Sequence, residues 1–250
     1  MGLKRFLRAN SSNKKHDPLF QVVKKITGLS PIDLSLYKRV FTHSSMEMTD
    51  SKGKKINYER LEFLGDSVLN TIVAAHLFES LPQDNEGSLS LMRSKIVRRD
   101  FLNKIGEQLG LIDYLSSNVP AKNYSQNVHG NLFEALVGAI YIDLGFERCS
   151  QFVFNKMILP FVDLEKLEFM VLSYKSLLVD WFQKKNKQYA FDVTLDNGAE
   201  HVNHYKARLI INGKTVAKAR AKSKKRAIEN VSKRAYYKFQ GGIKSIQDKH

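Results

Sequence analysis

The chain has 250 residues, with 40 Lys and Arg against 25 Asp and Glu and a net charge of +15; its pI is about 9.7. That length allows one large or two modest domains, and the charge points to a polyanionic partner. The single cysteine, Cys149, excludes an intramolecular disulfide and a cysteine-rich zinc site and is read as a structural thiol in a reducing compartment, the cytoplasm, while the longest apolar runs (135–142 and 157–162) are too short to span a bilayer.

Residues 1–18 read as a flexible basic arm with no acid before Asp17. It lacks an apolar core of secretory length, and Phe6 stands where a myristoylation signal needs Ser or Thr. From 19 to 165 the pattern is helical. Apolar periodicity predicts a helix over 32–42, then a basic loop over 50–55 around Gly53. A long helix starts in NYERLEFLGDS (residues 57–67) and runs to Leu81, where Pro82 stops it. Helices are also expected over 88–97 and 100–109, the second ended by Gly110, and a polar loop over 116–129. Two more helices carry HGNLFEALVGAIYIDLGF (residues 129–146) and residues 147–161, and 166–170 reads as a short linker.

Glu59, Glu62 and Asp66 stand at i, i+3 and i+7, on one stripe of a helix at about 100° per residue. Leu61, Phe63, Leu64, Val68 and Leu69 fill the adjoining faces. Such a stripe is either a solvated acidic surface or a set of oxygen ligands for Mg²⁺ or Mn²⁺. Glu134 lies inside a run that is apolar nearly all round, and a buried carboxylate needs a partner or a metal. Asn131, three residues earlier, either caps the helix as half of a capping-box variant or offers its amide oxygen to the same cation. The two roles are compatible.

After residue 171 the pattern changes to α-β-β-β-α. An amphipathic helix over 173–185 turns Leu177, Leu178, Trp181 and Phe182 inward. Strands follow over 189–195, 204–211 and 214–221, the last two joined by Asn212-Gly213, and a helix over 223–239 closes the region 171–240 before a tail, 241–250. Residues 170–250 hold 18 Lys and Arg against 6 Asp and Glu, a net +12, so the last third carries most of the excess charge.

ERLEFLGDS (residues 59–67) resembles the signature of the ribonuclease III family, FTHSS (41–45) its upstream helix and NLFEALVGAIYID (131–143) its second acidic helix, in the family's order and spacing. The C-terminal region resembles the double-stranded RNA-binding domain, with SKKRA (223–227) for SKKxA and GAEH (198–201) for GPxH. The resemblance implies an all-α endonuclease domain followed by a small α+β RNA-binding domain. It also implies a homodimer that hydrolyses double-stranded RNA with Mg²⁺ or Mn²⁺, leaves 5′-phosphates and short 3′ overhangs, and processes ribosomal and other precursor RNAs. Carried over by position, Asp66 and Glu134 are the catalytic acids. Glu59, Glu62, Asp66, Asn131 and Glu134 are the metal ligands, and Phe63 packs into the partner subunit. Lys175, Asp180, His201, Ser223, Lys224 and Lys225 meet the RNA.

The sequence departs from the family pattern at Asn131, where most members have Asp, and at Val179, Ala199 and Ile228 in the C-terminal region. Asn131 removes a unit charge while keeping an oxygen. Two other classes follow from the same residues: a non-catalytic RNA-binding or ribosome-associated protein, and a nuclease of DNA duplexes. His43 is expected to hold structure by hydrogen bonding, and the basic run 93–99 either lines an RNA channel or is a solvated helix face.

Overall fold

The computed structural model describes residues 17–168, 170–196 and 204–247, with no side-chain description from 242 on. Most of the basic arm, His201 and the loop around it lie outside the described residues. The chain divides into two compact units between Met170 and Val171.

Unit 1 is helical. Helix α1 (Pro18–Thr27) begins at Asp17, whose side chain accepts from the Leu19 amide at 2.8 Å, with Pro18 at the first helical position. It ends at Gly28 in the left-handed region (φ 75°). Helix α2 (Leu34–Val40) is followed by α3 (Glu59–Ser80), α4 (Glu86–Ile96), α5 (Arg99–Gln108) and α6 (Val128–Val153). A 3₁₀ turn, Leu111–Tyr114, follows α5, and a second, Ala121–Asn123, falls inside the loop expected over 116–129.

Helix α6 is the spine: Leu132, Phe133, Ala135, Leu136, Val137, Ala139 and Ile140 are all fully buried. It packs most extensively against α3. Two glycines set that contact. A Cβ built on Gly65 of α3 would stand 1.7 Å from the Glu134 carbonyl oxygen, and one on Gly138 of α6 would stand 2.3 Å from the Leu61 carbonyl oxygen. The helices therefore touch backbone to backbone. A third contact of this kind brings α5 onto α6, where a Cβ on Gly106 would lie 2.0 Å from the His129 carbonyl oxygen. Helix α3 is apolar and long enough on composition to cross a membrane (mean hydropathy 1.2), yet Leu69, Ile72, Val73 and Leu77 are spent on this core.

From the other end of α6, Asp143 accepts the Ile32 and Asp33 amides at 2.9 and 2.8 Å and the Tyr37 hydroxyl at 2.9 Å. This pins the start of α2. Burial, and then Asp143 itself, push the Tyr37 hydroxyl pKa up. Cys149 is fully buried, donates to the Val137 carbonyl at 3.4 Å and has its thiol pushed up to about 12 by burial.

The two helices predicted over 129–146 and 147–161 are present: Gly145 (φ 82°, ψ 175°) is non-helical and kinks α6 between them, and the chain re-enters helix directly after it. A π-helical turn, Phe154–Ile158, continues α6. The linker expected over 166–170 is not free chain in its first part: Leu164–Glu168 is helix α7, with Leu167 buried in the unit 1 core. The buried Lys95 of α4 donates to the carbonyls of Leu167 and Glu168 at 2.7 and 3.0 Å, satisfying the end of α7.

Unit 2 opens with α8 (Tyr174–Lys184), capped by Ser173. A three-stranded antiparallel sheet follows in the order β1 (Tyr189–Asp196), β2 (His204–Ile211) and β3 (Lys214–Ala221). Asn212 and Gly213 both have positive φ, 47° and 75°, as the tight hairpin turn requires. Helix α9 (Lys224–Gln247) runs past the end expected at 239 into the predicted tail. Its Ala227, Val231 and Ala235 pack with Leu178 and Phe182 of α8 and Leu209 of β2. Glu229 of α9 accepts from the Ser173 hydroxyl and the Tyr174 amide at 3.0 and 2.6 Å, tying the two helices together at the start of α8.

Candidate active site

The first turns of α3 and α6 bring four carboxylates to one cleft of about 410 Å³, lined by Glu59, Glu62, Phe63, Asp66, Arg99 and Glu134. The glycine contact between the helices makes this possible, because Gly65 sits against the backbone of Glu134 itself. Glu59 is steadied by Asn57, whose buried amide donates to its carboxylate at 3.2 Å and whose oxygen accepts its backbone N–H at 3.2 Å. Asn70, one turn on, donates to the Asp66 carboxylate at 3.0 Å and to the Asp66 carbonyl at 2.9 Å. Neither asparagine was singled out from the sequence, although the i+4 spacing of Asn70 from Asp66 is a readable signal.

Crowding is visible in the electrostatics. Glu134 is pushed up to about 7, first by burial and then by Asp66 and Glu62, against the opposing pull of Arg99. Glu62 is raised for the same reasons, burial first, with Arg99 again opposing. A raised carboxylate pKa gives a stabilising contribution that is complete below the unfolded pKa and lost as pH rises through the folded one. Without divalent cation, the melting temperature should therefore fall from about pH 5 to pH 8 more steeply in the wild type than in Glu134→Gln. Thermal unfolding in EDTA across that range tests this; parallel slopes would contradict the assignment.

All the donors are oxygens, which suits a hard divalent cation. Among the described residues no three Asp, Glu, His or Cys side chains converge tightly enough to enclose an ion. An open cleft of this kind fits Mg²⁺, which keeps several waters and uses one or two carboxylates together with substrate phosphate.

Asn131 is not in the cleft lining. It lies instead near the hydroxyl of Tyr58, the buried residue just ahead of α3, and partly offsets the rise that burial, Glu62 and Glu59 impose on that phenol. His43 accepts the Ser45 amide at 3.1 Å and lies between the Tyr58 and Tyr124 rings at 5.9 and 5.7 Å, a structural role. Phe63 stands on the cleft wall with 80% of its surface exposed. The basic run 93–99 divides by residue. Lys95 is internal, Arg98 contacts Met170 and Asp100, and Arg99 alone joins the acids.

In unit 2, Ser223 accepts the Arg226 amide at 3.2 Å as the cap of α9, and Lys224 and Lys225 stand exposed on its first turn. Lys224 reaches over the Tyr205 ring at 5.9 Å. Lys175 and Asp180 are exposed on α8, where Asp180 ion-pairs with Lys184 at 3.4 Å.

Residues 33–161 match the family described as Ribonuclease-III-like, and residues 174–238 match the double-stranded RNA binding motif. A protein of Zunongwangia profunda named Ribonuclease 3 is 49% identical over 92% of this chain and 95% of its own length. One of Flavobacterium psychrophilum with the same name is 50% identical over 93% and 95%. Among solved structures, the nuclease domain of ribonuclease III from Campylobacter jejuni, described for flexibility in a region involved in dimer formation, is similar at 29% identity and a TM-score of 0.51. It covers 57% of this chain and 98% of that one.

Proposed function

This chain belongs to the ribonuclease III family, and from that membership we propose that it is a metal-dependent endoribonuclease hydrolysing the phosphodiester bonds of double-stranded RNA. One observation carries the reading: four carboxylates from two helices line one cleft, with Glu134 raised to about 7 by burial and by its neighbours. A divalent cation, Mg²⁺ or Mn²⁺, would be held there by Glu62, Asp66 and Glu134, with Glu59 beside them. When bound, it supplies a nucleophilic water at neutral pH and stabilises the leaving oxygen.

The side chains prepare for that chemistry. Asn70 fixes the rotamer of Asp66, and Asn57 holds Glu59 at the edge of the set. Glu134, raised to about 7 by burial and its acidic neighbours, can take up or release a proton near neutral pH. The link from Asn131 to Tyr58 supports a role in seating the first turn of α6 against the start of α3, with any contact to the cation made through water. In unit 2, Lys224 and Lys225 would grip phosphates, Ser223 would order the helix start beneath them, and Lys175, Asp180 and His201 would meet the minor groove. The exposure of Phe63 supports its packing into a second copy of the chain, so that two clefts cut opposite strands and leave 5′-phosphates and short 3′ overhangs. Ribosomal and messenger precursors in the cytoplasm are the proposed substrates.

Incubation of the purified chain with a long RNA duplex tests the reading. Cleavage with Mg²⁺, none with EDTA and none of a DNA duplex of the same sequence are expected. The place of Asn131 outside the cleft lining favours one alternative, a duplex-binding protein without activity; binding with no cleavage in any divalent cation would establish it.

Removing residues 171–250 takes away the whole net charge of +12 carried by the last third. Duplex affinity should fall at least about tenfold at physiological salt, because phosphate contacts dominate it. Cleavage should persist at low salt, since every proposed catalytic side chain lies in unit 1. Filter binding and cleavage on the truncated chain measure both; a folded truncation with full affinity would overturn the division of labour.

A further inference from the structure

Among the described residues, Arg99 is the one basic side chain lining the acidic cleft. It is exposed, and among the described residues it makes no ion pair, although it lies close enough to lower the pKa of both Glu62 and Glu134. Its neighbours in the basic run are committed elsewhere: Lys95 to the end of α7 and Arg98 to Met170 and Asp100. The position is rigid. Arg99 is the first residue of α5, whose Leu102 and Ile105 are buried and whose Gly106 lies directly on the backbone of α6.

The charge of the site needs such a group. Glu59, Glu62, Asp66 and Glu134 give four negative charges when ionised, and one divalent cation leaves two. A phosphodiester approaching that cleft is repelled unless something else attracts it. A guanidinium does so without depending on metal occupancy, and its planar fork matches two phosphate oxygens at once. Among the described residues none of the four acids holds it in an ion pair, so the fork is available to substrate.

We propose that Arg99 is a catalytic residue that donates to the non-bridging oxygens of the phosphodiester being cut. This rests on the endoribonuclease reading above. The charge on those oxygens redistributes as the water attacks, so the contact acts mainly on kcat, and duplex binding remains with unit 2.

The test compares wild type, Arg99→Gln and Arg99→Lys on one RNA duplex at saturating Mg²⁺. Arg99→Gln should lower kcat about 100-fold, as loss of one donor to a developing oxyanion does. KM should change by less than about threefold, since most affinity comes from phosphate contacts elsewhere. Arg99→Lys should recover part of the loss, as a point charge without the fork. A second readout needs no turnover: calorimetric titration of the RNA-free protein with Mn²⁺. Removing a positive charge should leave cation affinity unchanged or tighter. A kcat for Arg99→Gln within about twofold of wild type overturns the proposal, as does a loss of kcat accompanied by weaker Mn²⁺ binding, which would make Arg99 a support for the acids. Failure of the wild type itself to cleave would instead count against the endoribonuclease reading.

Discussion

Asp66→Asn and Glu134→Gln should each lower duplex cleavage at least about 10³-fold, or ~4 kcal/mol of transition-state stabilisation. Each change keeps the shape of the side chain and removes one charge from the cleft. Asp66 retains its position through Asn70, whose bond to the Asp66 carbonyl survives the change, and Glu134 sits on the most deeply packed helix of unit 1. Folding should therefore be little affected; Glu134→Gln relieves like-charge crowding and should raise the metal-free melting temperature near neutral pH. Duplex affinity should stay within about threefold, because it is carried by basic groups. Cleavage rates at saturating Mg²⁺, with affinities measured in Ca²⁺, check the separation. Wild-type turnover in either variant would remove that residue from the catalytic set.

The second large effect falls on the glycines between α3 and α6. Gly65→Ala places a methyl group 1.7 Å from the Glu134 carbonyl oxygen, and Gly138→Ala places one 2.3 Å from the Leu61 carbonyl oxygen. Neither obstacle is a side chain that can swing away. The helices must separate, opening the core around Leu69, Leu132 and Leu136 and pulling Glu134 away from the three acids of α3. A loss of more than about 3 kcal/mol is expected for each, at or beyond the upper end of ordinary overpacking. Gly241→Ala in α9 is the control: a Cβ there meets nothing within 4 Å, so the change should be neutral or add up to ~1 kcal/mol of helix propensity. Thermal unfolding of the three variants distinguishes a specific backbone contact from a general intolerance of substitution. A melting temperature for Gly65→Ala equal to that of the control would contradict the packing described.

Much of the architecture was readable because it rests on local rules. The Asn212-Gly213 turn and the apolar periods of α3, α6 and α8 are properties of short windows. The four acids were readable by spacing and by family resemblance. What was not readable depends on distant partners. Residues 164–168 look like linker, being short and charged, and become helix because Leu167 reaches the core and Lys95 meets the terminal carbonyls from more than seventy residues away. Asn131 was placed on the helix of Glu134, but its proximity to Tyr58 depends on a residue more than seventy positions earlier in the chain. Arg99 had nothing in its own window to separate it from Arg98; only the approach of α5 to α6 decides which of the two faces the acids.

The Asp143 anchor has a consequence for synthesis on the ribosome. Its carboxylate binds the Ile32 amide across 111 residues of sequence. At about 5–20 residues per second, roughly six to twenty seconds pass between the emergence of the two ends of that bond. During this interval α2 has its own cap, Asp33, but no anchor. The apolar faces of α1 and α2, with Phe20, Val23, Ile26, Tyr37 and Val40, have by then emerged without the spine they finally cover. The N-terminal helices are thus made first and anchored late.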